Sequence, residues 1–188
     1  MKGLPNALTW LRIALIPIFV ALFFVPVWWG RPAAAIVFGI AGLTDWLDGY
    51  LARRWQVTTN FGAFLDPVAD KLLVVTALVL LTSDGSGIVG GVVTLSAAII
   101  IGREITISAL REWMAELGAR GQVAVSKVGK WKTTAQIIAL LFMLFRDPLF
   151  GLPVYTIGVG FLVVAAALTL WSMTVYLRSA WPLLNENR

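Results

Sequence analysis

Residues 43–73 read LTDWLDGYLARRWQVTTNFGAFLDPVADKLL, and this stretch decides how the rest of the chain is interpreted. It carries four aspartates in a chain that is 59% hydrophobic and 13% charged. The charged share is about half that of an ordinary soluble domain. Carboxylates are costly inside a membrane segment, so their presence there indicates a function. The four residues are Asp45, Asp48, Asp66 and Asp70.

The composition predicts an all-α integral membrane protein that forms one domain over residues 1–188. A soluble fold of this length could not keep so much apolar surface away from water. The chain has no cysteine, which excludes disulfides and thiolate metal sites. It has no histidine either, so metal ligands must come mainly from carboxylates. Carboxylates favour hard cations such as Mg²⁺ or Mn²⁺.

Six apolar segments predict six transmembrane helices, since a span needs roughly 20 residues. Turn-forming residues separate several of them, for example around Pro32, Gly85 and Pro148. We expect the first segment to be retained, because no convincing signal-peptide cleavage site follows it. The predicted segments are 13–29, 32–54, 67–83, 85–102, 129–145 and 148–177, the fourth continuing as an amphipathic helix through 103–118.

An even number of spans places both termini on the same side of the membrane. With six spans, only Arg31 and Arg146 of the 15 lysines and arginines lie on the opposite side. Cytoplasmic loops are rich in lysine and arginine, so this distribution predicts cytoplasmic termini. All four aspartates then belong to the cytoplasmic half of the protein.

The spacing of the aspartates predicts a shared site. Asp45 and Asp48 are three positions apart, Asp66 and Asp70 are four apart, and each pair shares a face of its helix. If the two helices are neighbours, four carboxylates converge, and divalent cations would relieve their repulsion. Each aspartate also has an ordinary structural interpretation. Asp66 could cap a helix that starts at Pro67, and Asp48 could pair with a nearby cation, Arg53 or Lys71.

These residues belong to a longer pattern that resembles the signature of the CDP-alcohol phosphotransferases at every fixed position. The pattern consists of Asp45, Asp48, Gly49, Ala52, Arg53, Gly62, Asp66 and Asp70. The resemblance implies that an alcohol hydroxyl attacks the lipid-linked phosphorus of CDP-diacylglycerol and that CMP leaves. It also implies two Mg²⁺ or Mn²⁺ ions, a homodimer, and a multi-pass protein of the bacterial cytoplasmic membrane with its active site facing the cytoplasm.

The same resemblance assigns roles to individual residues. Asp70 is implied as a metal ligand and as the general base that takes the proton of the acceptor hydroxyl. The implied metal ligands are Asp45, Asp48, Asp66 and Asp70. The implied CDP-diacylglycerol-binding residues are Asp45, Gly49, Ala52, Arg53, Thr59 and Gly62.

Three further segments resemble the members of the family that use glycerol 3-phosphate as the acceptor. They are PNALTWLRI at 5–13, GREITISALREWMAELG at 102–118 and VGKWKTTAQ at 128–136. An acceptor phosphate needs cations to hold it, and basic residues gather at the ends of the fourth and fifth segments. The predicted glycerol-phosphate-binding residues are Arg103, Arg111, Lys127, Lys130 and Lys132.

Other interpretations of these cations and aspartates stay open at this stage. The lysines could simply anchor the helices at the cytoplasmic interface. Glu104, next to Arg103, is expected on a different face and is therefore not an obvious partner. Inositol phosphate is another acceptor that needs a basic pocket. A membrane prenyltransferase also pairs aspartate-rich motifs around Mg²⁺, and a cation transporter would use aspartates as transport ligands.

Overall fold

A computed structural model describes residues 4–55, 60–116 and 127–186, and the side chains of 7–44, 65, 68–114 and 131–178. These residues form six α-helices, which confirms the prediction of an all-helical chain. The one β-bridge among them joins Leu149 and Leu152. The helices are α1 (Leu4–Phe24), α2 (Gly30–Trp55), α3 (Asn60–Asp84), α4 (Gly87–Glu116), α5 (Lys127–Phe145) and α6 (Val154–Glu186).

Three of these helices are long and apolar enough to cross a membrane. They contain the stretches Ala7–Phe24, Gly87–Met114 and Val154–Arg178. Shorter apolar stretches occur at Gly30–Thr44 in α2 and at Trp131–Phe145 in α5. Length and composition therefore identify three candidate spans within the described residues, and the six-span topology stays a prediction.

The first helix is displaced from its predicted position. It begins at Leu4 and ends at Phe24, whereas the apolar pattern placed the span at 13–29. Its early start adds a turn around Pro5, which a helix tolerates near its first position. It stops before Pro26, whose ring disfavours helical geometry in the preceding residue. The tryptophans that follow Pro26 therefore lie outside α1.

The last helix begins later than predicted, at Val154 instead of Pro148. The intervening residues turn sharply, and backbone hydrogen bonds join Leu149 and Leu152 in both directions. Phe150 and Gly151 have φ values of 51° and 78°, in the left-handed region that a helix cannot use. The helix also runs on to Glu186, past the predicted end at Leu177.

The first of two compact units comprises residues 1–84 and 140–158, and therefore contains α1, α2 and α3. Each of these three helices contacts the other two. Phe19 of α1 and Phe38 of α2 are almost completely buried, and their ring centres are 5.9 Å apart. Ala34 and Ala41 are fully buried on the same helix as Phe38. Their small side chains let α2 pack closely against its neighbours.

One cluster of ion pairs in this unit joins residues at the ends of three helices. Asp84, the last residue of α3, receives Arg31 Nη2 at 2.5 Å and Arg146 Nη1 at 3.1 Å on the same oxygen, Oδ1. The Cζ atom of Arg31 also lies 3.7 Å from the centre of the Phe23 ring. The start of α2, the end of α3 and the end of α5 are thereby held together. We call Arg31, Asp84 and Arg146 the Asp84 cluster.

The second unit comprises residues 85–139 and 159–188, with α4 and the larger parts of α5 and α6. Its buried side chains are mostly small or aliphatic, such as Val93 and Ala97 on α4 and Leu162 and Ala166 on α6. The backbone makes a close contact where α4 begins. A β-carbon on Gly90 would lie 2.5 Å from the carbonyl carbon of Gly85. Glycine is therefore required for this approach.

Candidate functional site

The four predicted metal ligands lie on two helices that contact each other. Asp45 and Asp48 lie on α2, and Asp66 and Asp70 lie on α3, as their helical spacing predicted. The side chain of Asp70 is exposed. The other three aspartates have their side chains outside the described set.

The start of α3 removes one ordinary interpretation of Asp66. The helix begins at Asn60, so Asp66 lies well inside it. An N-cap residue stands at the border of a helix, with non-helical backbone. The interpretation of Asp66 as an N-cap is therefore wrong, and its backbone is helical, with Asp70 one turn further on.

The predicted nucleotide-binding residues are only partly within the described chain. The backbone of Gly49, Ala52 and Arg53 is helical in α2, and that of Gly62 is helical in α3. Thr59 lies outside the described residues. Arg53 follows Asp48 on α2, and Gly62 precedes Asp66 on α3. Arg53 and Gly62 are therefore close to the aspartates along the chain.

The donor chemistry of the aspartates fits a divalent cation. Carboxylate oxygens on one helix face at spacings of three and four residues are ligands suited to Mg²⁺ or Mn²⁺. Among the side chains that the structure describes, no group of three acidic, histidine or cysteine residues forms a metal site. Asp45, Asp48 and Asp66 are outside that set. The fit therefore rests on the residue types and on the contact between α2 and α3.

Three of the predicted acceptor-binding cations come together in the second unit. Arg103 and Arg111 lie on α4, and Lys132 lies on α5. The Cζ atoms of Arg103 and Arg111 are each 5.5 Å from the centre of the Tyr176 ring on α6. The two arginines therefore share a face of α4, as their spacing of eight predicted. We call Arg103, Glu104, Arg111, Lys132, Ser172 and Tyr176 the basic cluster.

The expectation that Glu104 is not a partner of Arg103 is wrong. Arg103 Nη1 donates to Glu104 Oε1 at 3.0 Å, although the two residues are adjacent on α4. Lys132 Nζ donates to the same oxygen at 2.5 Å. Neighbouring side chains leave a helix in different directions, but both are long enough to curve towards each other at their ends. Glu104 thus holds a cation of α4 and a cation of α5.

Lys132 is buried, with 4% of its surface exposed. A lysine that only anchors a helix at the lipid interface would extend its amine into the headgroup region. The anchor interpretation therefore does not describe Lys132. Lys127 and Lys130 belong to the first turns of the same helix, and their side chains lie outside the described set.

Two residues of α6 complete the basic cluster, and sequence reasoning missed both. Ser172 donates its own proton to the Thr169 carbonyl at 3.1 Å, which leaves its oxygen free to accept. Arg103 Nη2 donates to that oxygen at 3.3 Å. Arg111 Nη2 donates to the Tyr176 hydroxyl at 3.1 Å. The available signal was the spacing of four residues between Ser172 and Tyr176 within an otherwise apolar segment.

The family assignment follows from the whole chain. The family model described as CDP-alcohol phosphatidyltransferase matches residues 2–171. The chain belongs to this family. The resemblance inferred from the aspartate pattern is thereby confirmed. The family generally uses divalent metal ions, in agreement with the donor chemistry of the aspartates.

Individual members of the family are similar over almost the full length. The CDP-diacylglycerol–glycerol-3-phosphate 3-phosphatidyltransferases of Shigella flexneri serotype 5b (strain 8401) and of Escherichia coli K12 are each 55% identical to this chain. The protein of that name from Escherichia coli O157:H7 has the same identity. Each alignment covers 178 residues, which is 95% of this chain and 94% of the relative.

Proposed function

We propose that this protein transfers the phosphatidyl group of CDP-diacylglycerol to sn-glycerol 3-phosphate, giving phosphatidylglycerophosphate and CMP. The observation that carries the proposal is the 55% identity, over 95% of the chain, with relatives that bear the name of this enzyme. The reaction supplies the precursor of phosphatidylglycerol and cardiolipin. The protein is accordingly a membrane transferase of phospholipid biosynthesis.

The chemistry is assigned to the aspartates of α2 and α3. Asp45, Asp48, Asp66 and Asp70 would hold two divalent ions, Mg²⁺ or Mn²⁺, and bound ions would supply positive charge to stabilise the pyrophosphate. Asp70 accepts the proton of the acceptor hydroxyl. The hydroxyl oxygen forms a bond to the lipid-linked phosphorus, the bond from that phosphorus to the CMP oxygen breaks, and CMP leaves with the electron pair.

Binding of the nucleotide and of the acceptor falls to separate sets of residues. Gly49, Ala52 and Gly62 leave space beside the helix backbone for CDP-diacylglycerol, with Asp45 and Thr59 at the same subsite. Arg53 supplies a cation for its phosphates. The acceptor phosphate binds to the basic cluster. The predicted ligands of the acceptor phosphate are Arg103, Arg111 and Lys132 of this cluster, together with Lys127 and Lys130 of α5.

The membrane arrangement is part of the proposal. Six helices cross the bacterial inner membrane, both termini are cytoplasmic, and the active site faces the cytoplasm. The Asp84 cluster supports this arrangement, because the residues predicted on the external side meet there. The proposed assembly is a homodimer.

The proposed function is tested by an acceptor panel with purified protein, CDP-diacylglycerol and Mg²⁺ or Mn²⁺. CMP release is measured with glycerol 3-phosphate, inositol phosphate, serine and choline as acceptors. We expect release with glycerol 3-phosphate alone. Release with inositol phosphate instead would identify a different acceptor. If no acceptor gives CMP release and metal ions instead pass into proteoliposomes that contain the protein, the protein is a transporter and the proposed function is wrong.

A further inference from the structure

We infer that Glu104 is the positioning residue of the acceptor phosphate site, because it fixes Lys132 and Arg103 in the geometry that receives the phosphate. The inference rests on the proposed function and deepens it. Glu104 makes no contact with the reacting atoms in this role. It acts through the two cations that it holds.

Two cations of the basic cluster converge on one atom of Glu104. Both ion pairs that the structure describes in the basic cluster end on Glu104 Oε1, one from α4 and one from α5. The side chains of Lys132, Arg103 and Glu104 are 5%, 10% and 24% exposed. Cations so poorly hydrated would repel each other strongly without an anion between them. Glu104 therefore makes their proximity possible.

Lys132 and Arg103 both retain hydrogen-bond donors that Glu104 does not use. Lys132 has three N–H donors, and Glu104 takes one of them. Arg103 uses Nη1 for Glu104 and Nη2 for Ser172, while its buried Nε has no hydrogen-bond partner among the described residues. A buried donor without a partner costs about 1–3 kcal/mol. An acceptor group that enters the cluster would satisfy such donors.

The charge of the basic cluster is complementary to that of a phosphate group. Arg103, Arg111 and Lys132 contribute three positive charges, and Glu104 contributes one negative charge, so the group carries a net charge of +2. A phosphate monoester carries about −1.5 to −2 at pH 7. The cluster and a glycerol 3-phosphate dianion thus neutralise each other. Without Glu104 the empty cluster would hold three unbalanced cations.

The test is a kinetic comparison of Glu104→Gln and Glu104→Ala with the unmodified protein. Glutamine keeps the shape and one acceptor oxygen, whereas alanine removes both. We expect the KM for glycerol 3-phosphate to rise by about 10- to 100-fold in Glu104→Ala and by less in Glu104→Gln. The KM for CDP-diacylglycerol should stay within about twofold, because the metals and Arg53 hold that substrate. Substitution of a residue that only stabilises the fold would affect the KM values for both substrates alike.

The matched control is Glu112→Gln, a charge removal at an exposed position on the same helix. It should leave both KM values unchanged. A double-mutant cycle then shows whether Glu104 acts through Lys132. In a Lys132→Met background, Glu104→Gln should raise the KM for glycerol 3-phosphate much less than it does alone, because its partner is already missing.

Three outcomes would overturn the inference while the unmodified protein remains active with glycerol 3-phosphate. They are unchanged KM values in both Glu104 variants, equal rises for both substrates, and full additivity with Lys132→Met. Loss of monodisperse protein in both variants would assign Glu104 to fold stability and overturn it too. An unmodified protein that is inactive with glycerol 3-phosphate would instead contradict the proposed function.

Discussion

At the scale of single residues, Tyr176 contacts two of the predicted acceptor-binding cations. It is 7% exposed, its hydroxyl accepts from Arg111, and its ring lies near the guanidinium groups of both Arg103 and Arg111. A cation within about 6 Å of an aromatic ring centre is attracted by its quadrupole. Tyr176 therefore orients two arginines from a different helix.

We predict that Tyr176→Phe raises the KM for glycerol 3-phosphate by about 2- to 10-fold, which is the change expected from the loss of one hydrogen bond. Tyr176→Leu should raise it further, because the attraction to the ring is lost as well. Steady-state kinetics with each substrate varied separately measures both effects. Tyr155→Phe at the start of α6 is the control and should leave this KM unchanged. Equal KM values for Tyr176→Phe and Tyr176→Leu would show that the ring contributes nothing.

The aspartates give a second prediction at this scale. Asp45→Asn, Asp48→Asn, Asp66→Asn and Asp70→Asn should each lower kcat by about 100-fold or more, since each removes a proposed metal ligand and Asp70→Asn also removes the proposed base. Chelator should abolish CMP release, and added Mg²⁺ or Mn²⁺ should restore it. Asp147→Asn, at an exposed position outside the pattern, is the control. Full activity in chelator would contradict the metal mechanism.

Sequence spacing predicted which cations meet, but not what holds them. The eight-residue separation of Arg103 and Arg111 places them on one face of a helix, and this was confirmed at Tyr176. The pairing of Arg103 with Glu104 was missed, because helical spacing describes where side chains start and not where long ones end. Ser172 and Tyr176 come from α6, and no local pattern links that helix to α4.

At the scale of the helices, the turn between α3 and α4 depends on glycine. The β-carbon of Gly90→Ala would lie 2.5 Å from the Gly85 carbonyl carbon and 2.7 Å from its oxygen. We predict a loss of about 1–3 kcal/mol in the free energy of unfolding, since backbone must move. This should lower the Tm by several degrees, roughly 2–4 °C per kcal/mol, as measured by tryptophan fluorescence in detergent.

Gly91→Ala is the control on the next residue, where a β-carbon would meet nothing within 4 Å. Alanine favours a helix over glycine by up to about 1 kcal/mol, so this variant should keep or raise the Tm. A Tm for Gly90→Ala equal to that of Gly91→Ala would show that the contact with Gly85 relaxes freely.

Hydropathy predicted the number and order of helices better than their ends. Apolar stretches mark the part of a helix that avoids water, whereas helix ends depend on local backbone chemistry. The chain therefore enters α1 at Leu4, before the apolar stretch at 13–29 begins. It also delays α6 to Val154, because the left-handed Phe150 and Gly151 interrupt the helix beyond Pro148.

At the scale of the whole molecule, the topology can be tested with single introduced cysteines. The chain has no cysteine of its own that would have to be replaced first. We predict that Ser86→Cys reacts with a membrane-impermeant maleimide in intact spheroplasts, since the proposed topology places the turn before α4 on the external side. Gln122→Cys should react only after permeabilisation, since the proposed topology places that position on the cytoplasmic side. Labelling is read by gel shift, with the cysteine-free protein as the blank. Protection of Ser86→Cys in intact spheroplasts would show that the number of spans before it is wrong.

The Asp84 cluster has a consequence for how this sequence can change over time. Arg146 has a φ of 66°, a conformation that costs a residue with a β-carbon about 1 kcal/mol and that glycine adopts freely. The contact of the arginine with Asp84 offsets part of that cost. Once position 84 loses its carboxylate, selection at position 146 should turn towards glycine or asparagine. The two positions, 62 residues apart, are expected to drift as a pair among descendants of this protein.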